Sequence, residues 1–171
     1  MSKTIETIQG RVRRTELFYN DSTDLYMAIG RTSAWVDEND PPSPTGEETN
    51  VEEIIGFKKV DQEILVVQDS VGGTLNFRGQ KWRELPVGDI YTEECHWIYV
   101  SASLYGDSLP LDTFRQIGLY SGLTPHQDYV GNDYLLPYQV EDRGVLEIIG
   151  NRVPAQRSAD QTDKPVIILE F

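Results

Sequence analysis

Apolar residues recur in this chain with a period of two, in runs that suit strands and little else. Leu25, Met27 and Ile29 alternate with Tyr26, Ala28 and Gly30; Ile98, Val100, Ala102 and Leu104 alternate with Trp97, Tyr99, Ser101 and Ser103. Such alternation sends successive side chains to opposite sheet faces, so each run offers an apolar face to a core. Further β-branched or aromatic runs occupy residues 64–67, 114–119, 145–149 and 166–171. Turn chemistry separates them, at Gly72-Gly73, Pro86-Val87-Gly88-Asp89, Gly106-Asp107, Gly131-Asn132-Asp133 and Gly150-Asn151. Short strands punctuated in this way predict a mainly β fold, an antiparallel β-sandwich-like domain. One short helix is expected from Asn50, where Glu53 takes the third helical position as a capping-box variant. Val51, Ile54 and Ile55 would share its face, and Lys58 and Lys59 suit its C-terminal end. The closing run at 166–171, entered through Pro165, is expected to pair beside residues 145–149.

The 171 residues show no linker between two cores, which predicts a single β-rich domain over 1–171. An exposed acidic, proline-rich loop is expected at about 37–50, Asp-Glu-Asn-Asp-Pro-Pro-Ser-Pro-Thr-Gly-Glu-Glu-Thr-Asn, because its prolines cannot donate to a ladder. Judged by loop closure alone, where each doubling of length costs only about 0.6 kcal/mol, deleting Glu38 to Thr49 is expected to leave the fold nearly intact. Twenty-eight acids against 15 bases leave a formal charge of −13. Such a surface repels nucleic acid and anionic membranes and favours basic protein partners. No stretch approaches the ~18 apolar residues of a membrane span. The start, Met-Ser-Lys-Thr-Ile-Glu, lacks the apolar core of a signal peptide, so the chain is expected to stay where it is made.

Catalytic and metal-binding patterns are weak. Cys95, the only cysteine, adjoins His96, but neighbours on a strand point to opposite faces and do not close on one ion. His126 stands in a Thr-Pro-His-Gln-Asp loop without a second histidine nearby. The Val71-Gly72-Gly73-Thr74 stretch lacks the Gly-Lys-Ser/Thr ending of a phosphate loop. Asp37 to Asp40 fails as a calcium loop because Pro41 and Pro42 take positions that need a ligand and a glycine. The expectation is no catalytic residue, no metal and no cofactor. Three Trp, nine Tyr and five Phe are the more telling set. Most fit sheet and core; the exposed remainder suits protein interfaces or a sugar platform, two uses that sequence does not separate.

Three stretches, taken in order, resemble one family. The first is Leu17-Phe18-Tyr19-Asn20 with Tyr26-Met27-Ala28-Ile29-Gly30-Arg31-Thr32-Ser33-Ala34-Trp35. The second runs from residues 98–104 into Thr113-Phe114-Arg115-Gln116-Ile117 and Leu123-Thr124-Pro125. The third is Gly144-Val145-Leu146-Glu147-Ile148-Ile149-Gly150-Asn151-Arg152-Val153-Pro154, then Asp160-Gln161-Thr162 and Ile167-Ile168-Leu169-Glu170-Phe171. Together they resemble the baseplate wedge subunits of T-even-type contractile-tailed phages, the eighth gene product in that naming, in a shortened form. The resemblance implies a mainly β structural subunit, not an enzyme, in the wedges around the tail hub. It implies other baseplate wedge proteins as partners, a homodimer as a second mode of association, assembly in the host cytoplasm and a final place in the virion. The competing reading is a β-sandwich recognition module that binds carbohydrate or a receptor on the host surface.

Four residues in these stretches are candidates for interface contact or loop pinning: Trp35, Arg115, Asn151 and Arg152. Gly150-Asn151 suits a left-handed turn after a strand, with Pro154 stiffening the outgoing path. Arg152 is placed either to satisfy carbonyls of its own loop or to touch a partner. Arg115, on a strand between Phe114 and Gln116, gives a partly polar sheet face that calls for cover by a loop or another subunit.

Overall fold

The computed structural model describes residues 2–171. One helix, α1 (Ile8–Asp21), precedes β1 (Tyr26–Gly30), β2 (Gly56–Lys59), β3 (Gln62–Gln68), β4 (Leu75–Phe77) and β5 (Gln80–Glu84). Then come β6 (Trp97–Ser101), β7 (Leu104–Tyr105), β8 (Thr113–Ser121), β9 (Thr124–Pro125) and β10 (Tyr134–Leu135). The last four are β11 (Val140–Asp142), β12 (Val145–Gln156), β13 (Thr162–Asp163) and β14 (Val166–Glu170). The fold is mainly β and its pairings are antiparallel, as the periodicity predicts. The chain divides into two compact units, neither of them a continuous stretch.

The first unit comprises residues up to 22, 62–101 and 166–171. Its five-stranded sheet runs β14-β6-β3-β5-β4. Alternation buries Leu65, Val67, Ile98, Val100, Ile167 and Leu169 on one face. The opposite face carries buried Val66, Trp82 and Tyr99, with Phe77, Trp97, Val166 and Ile168 partly covered beside them. The β4–β5 hairpin turns on Arg78 and Gly79, at φ +48° and +77°; two positive φ values in a row are the turn that matches strand twist. Helix α1 is capped by Thr7, whose hydroxyl accepts from the Gly10 N–H at 3.1 Å. It buries only Val12 and Thr15, and its far neighbours are the chain's end. The Arg11 guanidinium donates to the Phe171 carbonyl and the Glu170 carboxylate, and the Phe18 and Phe171 rings lie 5.2 Å apart.

The second unit comprises residues 23–61 and 102–165. Its five-stranded sheet runs β10-β2-β1-β8-β12, beside two short ribbons, β9 with β11 and β7 with β13. As the central strand, β1 is buried at all five residues, so its sequence alternation does not mark an inside and an outside. Two apolar clusters flank it. Tyr26, Ala28, Phe57 and Tyr120 belong to one; Ile29, Leu104, Leu109 and Phe114 to the other.

Three local expectations are corrected. Among the described residues the single α-helix lies at Ile8–Asp21, not after Asn50. Residues 51–55 are irregular because distant groups take their backbone donors: Val51 N–H goes to the Tyr120 hydroxyl, Glu52 N–H to the Gln116 side chain, and Ile55 N–H to the Ile29 carbonyl. Glu53 sits at φ +43°, and Lys58 is buried in β2 with its ammonium 2.7 Å from Asp61. Gly150 and Asn151 do not form a turn; they lie inside β12, which bulges between Asn151 and Ala155 instead. The closing strand pairs with β6 rather than with β12: Val166 faces Ser101 and Glu170 faces Trp97. Both runs are equally apolar, so composition did not distinguish the partners.

Candidate interface site

Between Gly30 and Gly56 the second unit has no helix or strand. This connection includes the acidic, proline-rich segment, and side chains of β8 and β12 tie it down. Arg115, on β8, donates Nε and Nη2 to the Glu38 carboxylate at 2.6–2.9 Å and Nη1 to the Thr32 carbonyl at 2.5 Å. A forked guanidinium–carboxylate pair of this kind fixes orientation as well as charge. Asn151, on β12, accepts from Gln116 at 2.9 Å and donates to the Pro42 carbonyl at 2.7 Å. Trp35 is buried, and its indole N–H donates to the Arg152 carbonyl at 2.9 Å. The Arg31 guanidinium stacks 3.8 Å from the Trp35 ring and pairs with Glu52. Arg152 itself lies over the Phe114 ring at 4.9 Å; burial pulls its pKa down, and Asp163 opposes that shift. All four sequence candidates thus meet at one place, where the loop crosses β8 and β12.

The loop's own carboxylates complete the lacing. Glu53 accepts from the Ser33 hydroxyl and N–H at 2.7 and 2.9 Å, and Glu48 from the Thr45 and Gly46 N–H groups at 2.8 Å. These bonds hold both carboxyls below their ordinary range, as Arg115 does for Glu38. Depressed carboxyls contribute stability that is present above their unfolded pKa, about 4.3, and lost as pH falls through the folded value. The lacing therefore loosens in acid, below about pH 4. The Glu38→Gln variant removes the charge that Arg115 grips and should reproduce that state at neutral pH. Limited proteolysis should then cut within 37–50 faster than in the parent, with little change in melting temperature. Equal cleavage of the two proteins would show that the fork does not hold the loop. A deletion of the loop would take Glu38 with it, so its cost exceeds the loop-closure figure.

Sequence reading missed Arg157. Its side chain is fully buried, and it donates to the carbonyls of Leu109, Pro110 and Tyr105 at 2.8, 2.8 and 2.7 Å. Its neighbours Gln156 and Ser158 read as ordinary loop, and no local pattern marks it as a core cation.

Elsewhere, the buried Cys95 thiol donates to the Val66 carbonyl at 3.3 Å, and desolvation pushes its pKa up. His96 stacks on Trp97 at 3.5 Å, with its Nδ1 at 2.9 Å from the Glu94 carbonyl. His126 is exposed. Of the rings, Trp35 and Trp82 are buried, while Tyr91, Tyr105 and Tyr138 are exposed.

Comparison with known proteins bears on what this surface belongs to. The family model described as baseplate wedge 3 tail fiber network component matches residues 3–171. The chain is 34% identical over 170 residues to Virion protein 3 of Enterococcus phage phiEF24C, across 96% of this chain and 93% of that protein. The match runs through both units and the laced loop alike, and the chain belongs to the baseplate wedge 3 tail fiber network component family, structural proteins of the phage virion located in its tail baseplate.

Proposed function

We propose that the chain is a non-enzymatic wedge subunit that joins other baseplate proteins around the tail hub, with residues 1–171 acting as one β-rich module. The observation that carries this reading is the laced loop. A connection without regular structure is held by the Arg115–Glu38 fork, the Asn151 bridge and the Trp35–Arg152 bond. A loop already ordered before contact loses little conformational entropy on docking, which suits a rigid assembly surface. Asp37, Asp40 and Glu47 stay exposed on it, so its complement is a basic protein surface. The non-enzymatic reading is supported by the lining of a recess of about 500 Å³. Its lining includes Asp107, Ser108 and Tyr134 but no histidine, cysteine or lysine to serve as a base or nucleophile.

Five lysines, one of them buried, make amine cross-linkers a poor choice for this chain. Dihydrazide cross-linking of carboxylates in purified particles is the better test. It should link the 37–50 segment to other baseplate proteins. Links confined to copies of this chain, or none, would overturn the reading, as would glycan binding by the isolated protein in favour of host-surface recognition.

A further inference from the structure

The sheet of the first unit ends on β14, whose one strand neighbour is β6. Phe171 N–H bonds the His96 carbonyl, and Ala102 N–H bonds the Pro165 carbonyl. In an antiparallel ladder this sets the alternation: Ile167, Leu169 and Phe171 face β6, while the N–H and C=O groups of Val166, Ile168 and Glu170 point to the open side. Among the described residues no backbone hydrogen bond reaches those outward groups.

Open edges are usually blunted by brevity, bulges, proline or charge. The other sheet edges follow that rule. β12 has two register breaks and Pro154, β10 is two residues long and β4 is three. β14 has no bulge and no proline among its five residues, which run in unbroken register, and its one charge, Glu170, is engaged by Arg11. Its side chains extend the offer. Val166 and Ile168 lie half-covered on the same face as Phe77, Trp82 and Trp97, and Ile168 lines a groove of about 240 Å³ rimmed by Gln68, Arg78 and Glu170.

We propose that this edge accepts an extended segment of a different baseplate protein as a sixth strand, a step that rests on the assembly role above. The register of the outward groups demands an extended backbone. The half-covered Val166 and Ile168 demand apolar residues at alternate positions of the incoming strand. Charge selects the source: a second copy would bring another −13 to a chain of −13, whereas a segment with net positive charge meets the overall field, the Glu170 carboxylate itself being taken by Arg11.

Hydrogen exchange, read by mass spectrometry with residue resolution, tests this on the free protein and on purified particles. In the free protein the amides of Ile167, Leu169 and Phe171 should be protected and those of Val166, Ile168 and Glu170 should exchange fast. In particles the outward three should slow by at least about tenfold. Outward amides as fast in particles as in solution would overturn the proposal. Carboxylate cross-links to neighbours alongside such amides would leave the assembly role standing and remove only this edge. Protection of the outward amides already in the free protein, growing with concentration, would assign the edge to a second copy instead. Independently, Ile168→Lys keeps every bond to β6 and charges the open face. The variant should melt cooperatively yet be missing from baseplates, and its incorporation at parental levels would also refute the proposal.

Discussion

Deletion of residues 166–171 should abolish the cooperative melt of the first unit. Five residues of β14 pair with β6, and Ile167 and Leu169 are each only 7% exposed. Burial of those two side chains alone contributes about 3–6 kcal/mol, an upper figure because unfolded chains are partly collapsed. A domain is stable by only about 5–15 kcal/mol. The deletion also strips Arg11 of both acceptors, the Phe171 carbonyl and the Glu170 carboxylate, and removes the ring against Phe18. Helix α1 would keep its cap, the buried Val12 and Thr15 and the Tyr91–Glu16 bond, but lose its anchor at residues 170 and 171, and a helix of its length is marginal alone in water. Calorimetry of the truncated chain beside the full one decides the matter. A retained transition of parental enthalpy would show that β14 is an appendage rather than a member of the sheet.

Arg157→Met should be the most damaging single substitution in the second unit. Methionine matches the length and apolar stem of arginine but donates nothing. The carbonyls of Leu109, Pro110 and Tyr105 would each lose a donor in a site where no water replaces it freely. The Tyr105 carbonyl keeps the Ser108 N–H at 3.2 Å, so at about 1–3 kcal/mol for each of the two carbonyls left unpaired the total is about 3 kcal/mol. That corresponds to a fall of roughly 6–12 °C in melting temperature for a chain of this size. Repacking cannot close the site cheaply, because Gly106 already packs so tightly that a Cβ there would lie 2.3 Å from the Ser158 carbonyl oxygen. Arg157→Lys, with one ammonium in place of a planar fork, should fall between the two. A thermal melt of Arg157→Met indistinguishable from the parent would mean that the three carbonyls find other donors.

What the sequence discloses and what it withholds divide along the range of the interactions. The strands at 26–30, 62–68, 97–101, 113–121 and 166–170 are legible because alternation and β-branching are local properties. The helix is not. Residues 8–21 contain Gly10 and present only Val12 and Thr15 to the core, so their periodicity is faint; their anchors, Phe171 and Glu170, come from the far end of the chain. The converse error arises at Asn50. A capping pattern and apolar residues three apart are present there, yet Tyr120 and Gln116 capture the donors that a helix would use. The same asymmetry governs the candidate site. A polar residue between Phe114 and Gln116 shows that the β8 face needs a cover, but nothing in the local run names Glu38 as its partner. Arg157 leaves no trace at all, since its hydrogen bonds go to backbone carbonyls, and its ionic neighbour Asp163, at 4.0 Å, is one acid among 28.

The bond from Arg11 to Phe171 spans 160 positions of the chain. During synthesis, at about 5–20 residues per second, α1 leaves the ribosome roughly 10–30 s before the strand that it grips. The second unit meanwhile has all its segments once residue 165 has emerged, so the two can mature in a fixed order, with the sheet of the first unit closing last. A chain broken off before residue 166 therefore carries no finished edge at β14. Copies terminated there would lack β14 and leave β6 as the unpaired edge of that sheet.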